Sequence, residues 1–340
     1  MRIVLDAMGS DAHPTPELDA AAAAVAAWPE PLLLAGPAER LRQGLTARAV
    51  PADRVRIFDA PEVLEMTDSP AASARGKPGT SMAVGMELLK EGQADAFVTA
   101  GNTGGAMATA LFRLGRVRGV KRPALTGIFP VRGGQAVVLD IGANADVRPE
   151  MLVQFAVLGS VYAEIVLGLP RPRVALLSNG EEPGKGSLLI KETHPMLAQA
   201  GLHFVGNVEP KELFAGAADV VVTDGFTGNI LLKSSEAVAS FLSQIIREQI
   251  RAQPLTTLGG LLARPAFRRV GKVMDPAEYG AAPLLGINGL VFVGHGRSDG
   301  RALLNALRVA RQAVAGGLLQ AISLAIRDRL QHAPAAPEEA

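Results

Sequence analysis

Short apolar runs bounded by glycines and acids alternate along the chain with longer segments of helical spacing. The runs Arg2–Asp6, Leu32–Ala35, Val55–Phe58, Ala96–Thr99, Ala124–Phe129, Ala136–Asp140, Arg173–Leu177, His203–Val205, Val220–Thr223 and Leu290–Val293 predict strands. Most are apolar without interruption, as in strands covered on both faces. Helices are predicted over Glu17–Trp28, Thr80–Glu91, Thr103–Leu114, Glu150–Leu167, Ser187–Gln199, Asn229–Arg251 and Asp299–Leu330. Repeated strand–loop–helix units predict an α/β fold with a mostly parallel sheet and helices on both faces. Residues 1–330 are read as a single catalytic domain, and residues 331–340, which run into HAPAAPEEA, as a disordered tail.

One stretch breaks the rhythm. AQPLTTLGGLLARPAFRRVGKV sets Leu255, Leu258, Leu261, Leu262, Phe267 and Val270 beside Arg264, Arg268, Arg269 and Lys272, with no acid before Asp275. This pattern predicts an amphipathic surface element, a protruding helical hairpin over residues 245–275. It packs on its own body or a twin subunit, or it docks on a membrane or partner through Leu258, Leu261, Leu262, Arg264, Phe267 and Arg268.

Composition narrows the function. The 340 residues carry a net charge of only +1, so any basic partner site is local. The absence of cysteine excludes a disulfide framework, a thiolate metal site and a cysteine nucleophile, and it fits a reducing cytoplasm. One tryptophan and 4% aromatic residues argue against a stacking platform for single-stranded nucleic acid, and no nucleic-acid partner is expected. The alanine-rich Ala20–Ala27 is too short to cross a bilayer, which takes about 20 apolar residues. No signal peptide is read at the N-terminus.

The chemistry gathers where strands end. DAMGSD at Asp6–Asp11, AGNTGGAM at Ala100–Met107, DIGAN at Asp140–Asn144 and DGFTGN at Asp224–Asn229 are glycine-rich loops that follow apolar runs. Glycine loops let backbone N–H groups approach an anion, and the next helix points its positive end at it. Neither GxxxxGK[ST] nor a well-placed GxGxxG is present, so nucleoside triphosphates and NAD are not favoured. SNGEEPGKGS, Ser178–Ser187, brings Lys185 to the start of a helix, where an ammonium can clamp a phosphate. No acid pair has metal-ligand spacing, and neither a metal nor a cofactor is expected. His295, between glycines in GHGRSDG, is the best acid/base candidate, and no GxSxG elbow supports a serine triad.

These motifs, with RPAL at Arg122–Leu125, GSVYAE at Gly159–Glu164, GNVEP at Gly206–Pro210 and GHGRSD at Gly294–Asp299, run in order from Arg2 to about Val314. Together they resemble the bacterial phosphate acyltransferases of phospholipid synthesis, the PlsX family. DAMGSDAHP departs from the family's usual first loop, and Ser178-Asn179-Gly180 stands where Asn-Ile/Val-Gly is commoner. The resemblance implies a three-layer α/β/α sandwich like that of phosphotransacetylases and isocitrate dehydrogenases. It implies transfer of a long-chain acyl group from acyl carrier protein to inorganic phosphate by a homodimer. It also implies peripheral attachment to the cytoplasmic membrane and delivery of acyl phosphate to a membrane glycerol-3-phosphate acyltransferase.

Residue type and loop position assign phosphate contacts to Asn102, Thr103, Gly104, Asn144, Thr227 and Asn229, with Asp6 and Gly9 in the first loop. Lys185, His295 and Asn229 are the catalytic candidates, His295 to protonate the leaving thiol or orient phosphate. Asp140 and Asp224 suit loop ordering, because carboxylates repel phosphate. Two basic clusters could dock an acidic carrier: Arg113, Arg116, Arg118, Lys121 and Arg122, or Arg264–Lys272. A phosphotransacetylase-like enzyme using acyl-CoA, a non-catalytic membrane-docked scaffold and a metal-dependent 2-hydroxy-acid dehydrogenase relative are the competing readings.

Overall fold

In the computed structural model, which describes residues 1–64, 68 and 77–332, the apolar runs assemble side by side into one sheet. All but the first two residues of the expected tail lie outside the described residues. Among the described residues the sheet has eleven strands. They are β1 Ile3–Asp6, β2 Leu32–Gly36, β3 Val55–Asp59, β4 Ala96–Thr99, β5 Ala124–Val131, β6 Gly134–Leu139, β7 Arg173–Leu177, β8 His203–Val208, β9 Val220–Val222, β10 Ala282–Leu285 and β11 Val291–Val293. The helices are α1 Thr15–Ala27, α2 Ala38–Ala47, α3 Ser81–Lys90, α4 Thr103–Arg113, α5 Pro149–Val166 and α6 Leu188–Ala198. After them come α7 Pro210–Ala215, α8 Gly225–Arg251, α9 Pro254–Met274, α10 Pro276–Tyr279, α11 Gly300–Ala315 and α12 Leu318–His332.

The strand order is β3-β2-β1-β4-β11-β10-β5-β6-β9-β7-β8. Two parallel blocks, β3-β2-β1-β4-β11 and β6-β9-β7-β8, flank the central β10 and β5. Those two are antiparallel to each other and to their outer neighbours. Three antiparallel steps make the blocks run in opposite senses. The glycine loops therefore do not share one sheet edge; those after β4 and β11 end at one edge, those after β6 and β9 at the other. β10 is a strand that the sequence pattern misses, because Pro283 interrupts it and proline is unusual inside a sheet.

Continuous hydrophobicity follows from burial on both faces. Ile3 and Leu5 belong to one core cluster and Val4 to the other. Val220 and Val222 face the first cluster, and Val221 the second. α5 is long and apolar enough to cross a membrane, but Leu152, Phe155, Leu158 and Tyr162 are buried in the core, which accounts for its hydropathy. α8 and α9 differ. In α8 only Gly225 and Gly228 are buried, and α9 has no buried residue among those described. Ala252 and Gln253 separate the two helices, which touch where Gly260 faces Ile250.

Candidate active site

The DIGAN loop is organised by one carboxylate. Asp140 is fully buried at the end of β6. Its Oδ1 accepts N–H bonds from Leu125 at 3.1 Å, Gly142 at 3.0 Å and Ala143 at 2.9 Å. Its Oδ2 accepts from the Asn144 backbone at 2.7 Å and the Asn144 side chain at 2.8 Å. Burial pushes the carboxyl up, and these donors oppose the shift. Asn144 also donates to the Pro123 carbonyl at 2.7 Å, tying the loop to the start of β5.

The glycines of DGFTGN answer to that loop. A Cβ on Gly225 would lie 2.6 Å from the Asn144 carbonyl oxygen, and one on Gly228 would lie 1.9 Å from that of Asp140. The first turn of α8 thus rests directly on residues 140–144, where no side chain fits. Asp224 caps the helix, accepting from the Thr227 N–H and hydroxyl, both at 2.8 Å. Asn102 caps α4 in the same way, accepting from Gly105 N–H at 2.9 Å. On the other block, Gly9 packs against the backbone of Ala100 and Gly101, and buried Asp6 accepts from the Thr99 hydroxyl at 2.7 Å.

Between α8 and the two central strands lies a cleft of about 400 Å³. Its polar lining includes Thr103, Asn229, Lys233, Glu236 and His295, with Thr126, Ser235 and Tyr279. Its apolar lining includes Ile128, Phe129, Phe214, Leu232, Ala239 and Met274. Asn229 is brought to Gly142, where a Cβ would lie 3.8 Å from its side chain. Glu236 stands 3.8 Å from His295 Nε2 and 3.5 Å from Lys233 Nζ. Burial holds the His295 imidazole below its ordinary pKa, more than Glu236 raises it, so at neutral pH the ring is neutral.

Of the residues expected from sequence, Thr103, Asn229 and His295 line this cleft together. Asp140, Asn144, Asp224, Thr227, Asn102 and Gly104 build the loops and helix starts beneath it, and Asp6 and Gly9 brace the loop after β4. Lys185 is exposed on the loop after β7, next to β9 in the sheet, and is not among the lining residues. Lys233 and Glu236 were missed. They share a face of α8 with Asn229, at four and seven residues' spacing, and that periodicity was the signal available.

Leu258, Leu261, Leu262, Arg264, Phe267 and Arg268 all lie on exposed α9. In the other basic cluster, Arg113 pairs with Glu87, Lys121 pairs with Glu150, and Arg116 donates to the Lys121 carbonyl. Among the described residues no three His, Cys, Asp or Glu side chains come together as metal ligands.

The sequence model of the family described as fatty acid synthesis protein matches residues 1–321. A phosphate acyltransferase of Desulfitobacterium hafniense is 45% identical over 95% of this chain and 96% of its own. One from Heliobacterium modesticaldum is 46% identical over the same shares. This chain belongs to the phosphate acyltransferase family. It is thus an enzyme of the acyltransferase class. In fold it is similar to the EutD phosphotransacetylase from Staphylococcus aureus, with a TM-score of 0.58 at 16% identity over 92% of this chain and 94% of that one. A branched-chain phosphotransacylase from Enterococcus faecalis gives 0.57 at 15% identity over 92% and 99%. The α/β sandwich expected from the sequence is the architecture of these proteins.

Proposed function

We propose that the cleft over β5 transfers a long-chain fatty acyl group from acyl carrier protein to inorganic phosphate, giving acyl phosphate for phospholipid synthesis. The observation that carries this reading is one cleft with Asn229, Lys233, Thr103 and His295 beside a long apolar wall. An enzyme joining an anion to a hydrocarbon thioester requires both. A phosphate oxygen attacks the thioester carbonyl, a C–O bond forms, the C–S bond breaks, and the carrier leaves as a thiol. No side-chain nucleophile is needed, and the cysteine-free chain offers no thiol.

In this scheme Asn229, the Thr103 hydroxyl and Lys233 hold and orient phosphate, so the attack becomes effectively unimolecular. Lys185, from the neighbouring loop, is the second cation of the proposal. Neutral His295 takes the proton that phosphate loses and returns it to the departing sulfur. Asp140 and Asp224 keep the loops fixed, which limits reorganisation as charge develops on the carbonyl oxygen.

The test is palmitoyl carrier protein incubated with and without phosphate, the product trapped by hydroxylamine. Phosphate-dependent hydroxamate supports the reading. Turnover with palmitoyl-CoA alone moves the donor to coenzyme A, and no turnover with either thioester from folded protein leaves a scaffold.

The same reading treats residues 1–330 as one catalytic domain. It places a homodimer at the cytoplasmic membrane surface, handing acyl phosphate to a membrane glycerol-3-phosphate acyltransferase. The exposed Leu258, Leu261, Leu262 and Phe267 beside Arg264 and Arg268 support a membrane-facing α9. Leu258→Glu and Leu261→Glu then lose liposome binding and keep turnover in solution; full liposome retention by both variants sinks this part.

A further inference from the structure

Thr103 and His295 follow two strands that end side by side. β4 and β11 are in register at Thr99 and Val293, and Gly294 N–H donates to the Thr99 carbonyl at 2.7 Å. α8 brings Lys233 and Glu236 to the same cleft. Glu236 divides its carboxylate between two neighbours. Oε2 accepts from Lys233 Nζ at 3.5 Å, and Oε1 lies 3.8 Å from His295 Nε2. The second distance is an ion-pair spacing rather than a hydrogen bond, so the contact gains most when the ring carries charge. Lys233 from α8 and Arg297 from the ring's own loop oppose that charge, and Tyr279 of α10 is the other titratable group in the lining. Among the described residues Glu236 is the only acid in the lining.

We infer that Glu236 is the positioning residue for His295: it draws Nε2 towards α8, leaves Nδ1 to take the proton from phosphate, and stabilises the imidazolium that results. The inference rests on the acyl-transfer reading of the cleft and gives its acid/base residue a partner. A neutral imidazole has one N–H and one free nitrogen, and the contact made by one nitrogen decides which is which. With Nε2–H held by the carboxylate, the lone pair stays on Nδ1. When phosphate gives up its proton to Nδ1, the new positive charge on the ring lies beside Glu236. When that proton passes to the departing sulfur, the charge disappears. Glu236 therefore stabilises a charge present only during the reaction. It is not a phosphate contact, because a carboxylate repels the dianion. Its pairing with Lys233 also competes with phosphate for that ammonium, so removing the carboxylate frees Lys233 for the anion.

The experiment measures kcat and the phosphate requirement with palmitoyl carrier protein, across acid and neutral pH. The enzymes are wild type, Glu236→Gln, Glu236→Asp, His295→Gln and the double variant Glu236→Gln/His295→Gln. Protonating the ring beforehand removes the base, which gives kcat an acid limb. Glu236→Gln is expected to lower kcat roughly tenfold without raising the phosphate needed for half-maximal rate. A tenfold loss of imidazolium stability also moves the acid limb down by about one pH unit. Glu236→Asp keeps the charge and should keep the limb near its wild-type position. In the double variant the loss of Glu236 should add little to the loss of His295, because it acts through that ring. Melting transitions check folding, and Glu236→Ala, expected to behave as Glu236→Gln does, decides the matter if the amide variant does not fold. An acid limb at the wild-type position in folded Glu236→Gln, or a fully additive loss in the double variant, overturns the role and leaves acyl transfer standing. Absence of wild-type turnover with every thioester overturns the acyl-transfer reading and the role with it.

Discussion

Replacing Gly228 with alanine perturbs the contact on which the site is built. The added methyl carbon would lie 1.9 Å from the Asp140 carbonyl oxygen and 3.1 Å from Thr223 Cγ2. The first contact is with backbone, so it cannot be relieved by a rotamer change. The start of α8 must move by more than an ångström, carrying Asn229 away from Gly142. Two terms compete. Alanine favours a helix over glycine by about 1 kcal/mol. Overpacking costs typically 1–3 kcal/mol, and this overlap belongs at or above the upper end. The net expectation is a loss of about 2 kcal/mol, or roughly 3 °C in melting temperature for a chain of this size. Gly259→Ala, on exposed α9 with nothing within 4 Å of the added carbon, isolates the propensity term and should hold or raise the melting temperature. Thermal unfolding followed by circular dichroism reads both, and phosphate-dependent turnover of Gly228→Ala should fall at least a hundredfold. A Gly228→Ala enzyme that melts with wild type and turns over normally would refute the close packing of α8 on the 140–144 loop as the basis of the site.

Two further outcomes concern titrating groups. Glu17 is fully buried; one oxygen accepts the Ser10 N–H at 2.8 Å, and burial pushes its carboxyl above the ordinary 4.5. A raised acid gives stability that is present below 4.5 and lost as pH rises through its folded value. The melting temperature of Glu17→Gln relative to wild type should therefore increase as pH rises above 4.5; a difference that stays flat to pH 8 contradicts this. His295 is held below 6.5 by burial, so at saturating phosphate kcat should keep its plateau through neutral pH and fall on an acid limb below 6.5. His295→Gln should lower kcat a hundredfold or more and abolish that limb, and a variant with the wild-type profile removes His295 from proton transfer.

The legible part of the sequence was the part written in local chemistry. Val4, Leu5, Val137 and Val138 are apolar because both faces of their strands are covered, and this shows as unbroken runs. The capping preference of Asp224 and Asn102 sits beside the helices they begin. The sense of each block is not written locally. It depends on β10, whose pairing with β5 joins residues far apart in sequence and whose proline disguises it. For the same reason the loops look alike in the sequence, whereas the structure brings those after β4, β6, β9 and β11 to a central cleft from two sides. Lys233 and Glu236 were hidden among the ordinary polar positions of an amphipathic helix, and only the cleft distinguishes them from Ser234 and Ser240.

The most direct test of the central claim is the phosphate dependence of acyl phosphate formation in wild type and Lys233→Ala, with palmitoyl carrier protein as donor. A charged hydrogen bond to bound phosphate contributes about 1.5–3 kcal/mol, so the variant should need at least tenfold more phosphate for half-maximal rate while melting close to wild type. An unchanged phosphate requirement and an unchanged maximal rate would place the phosphate outside this cleft.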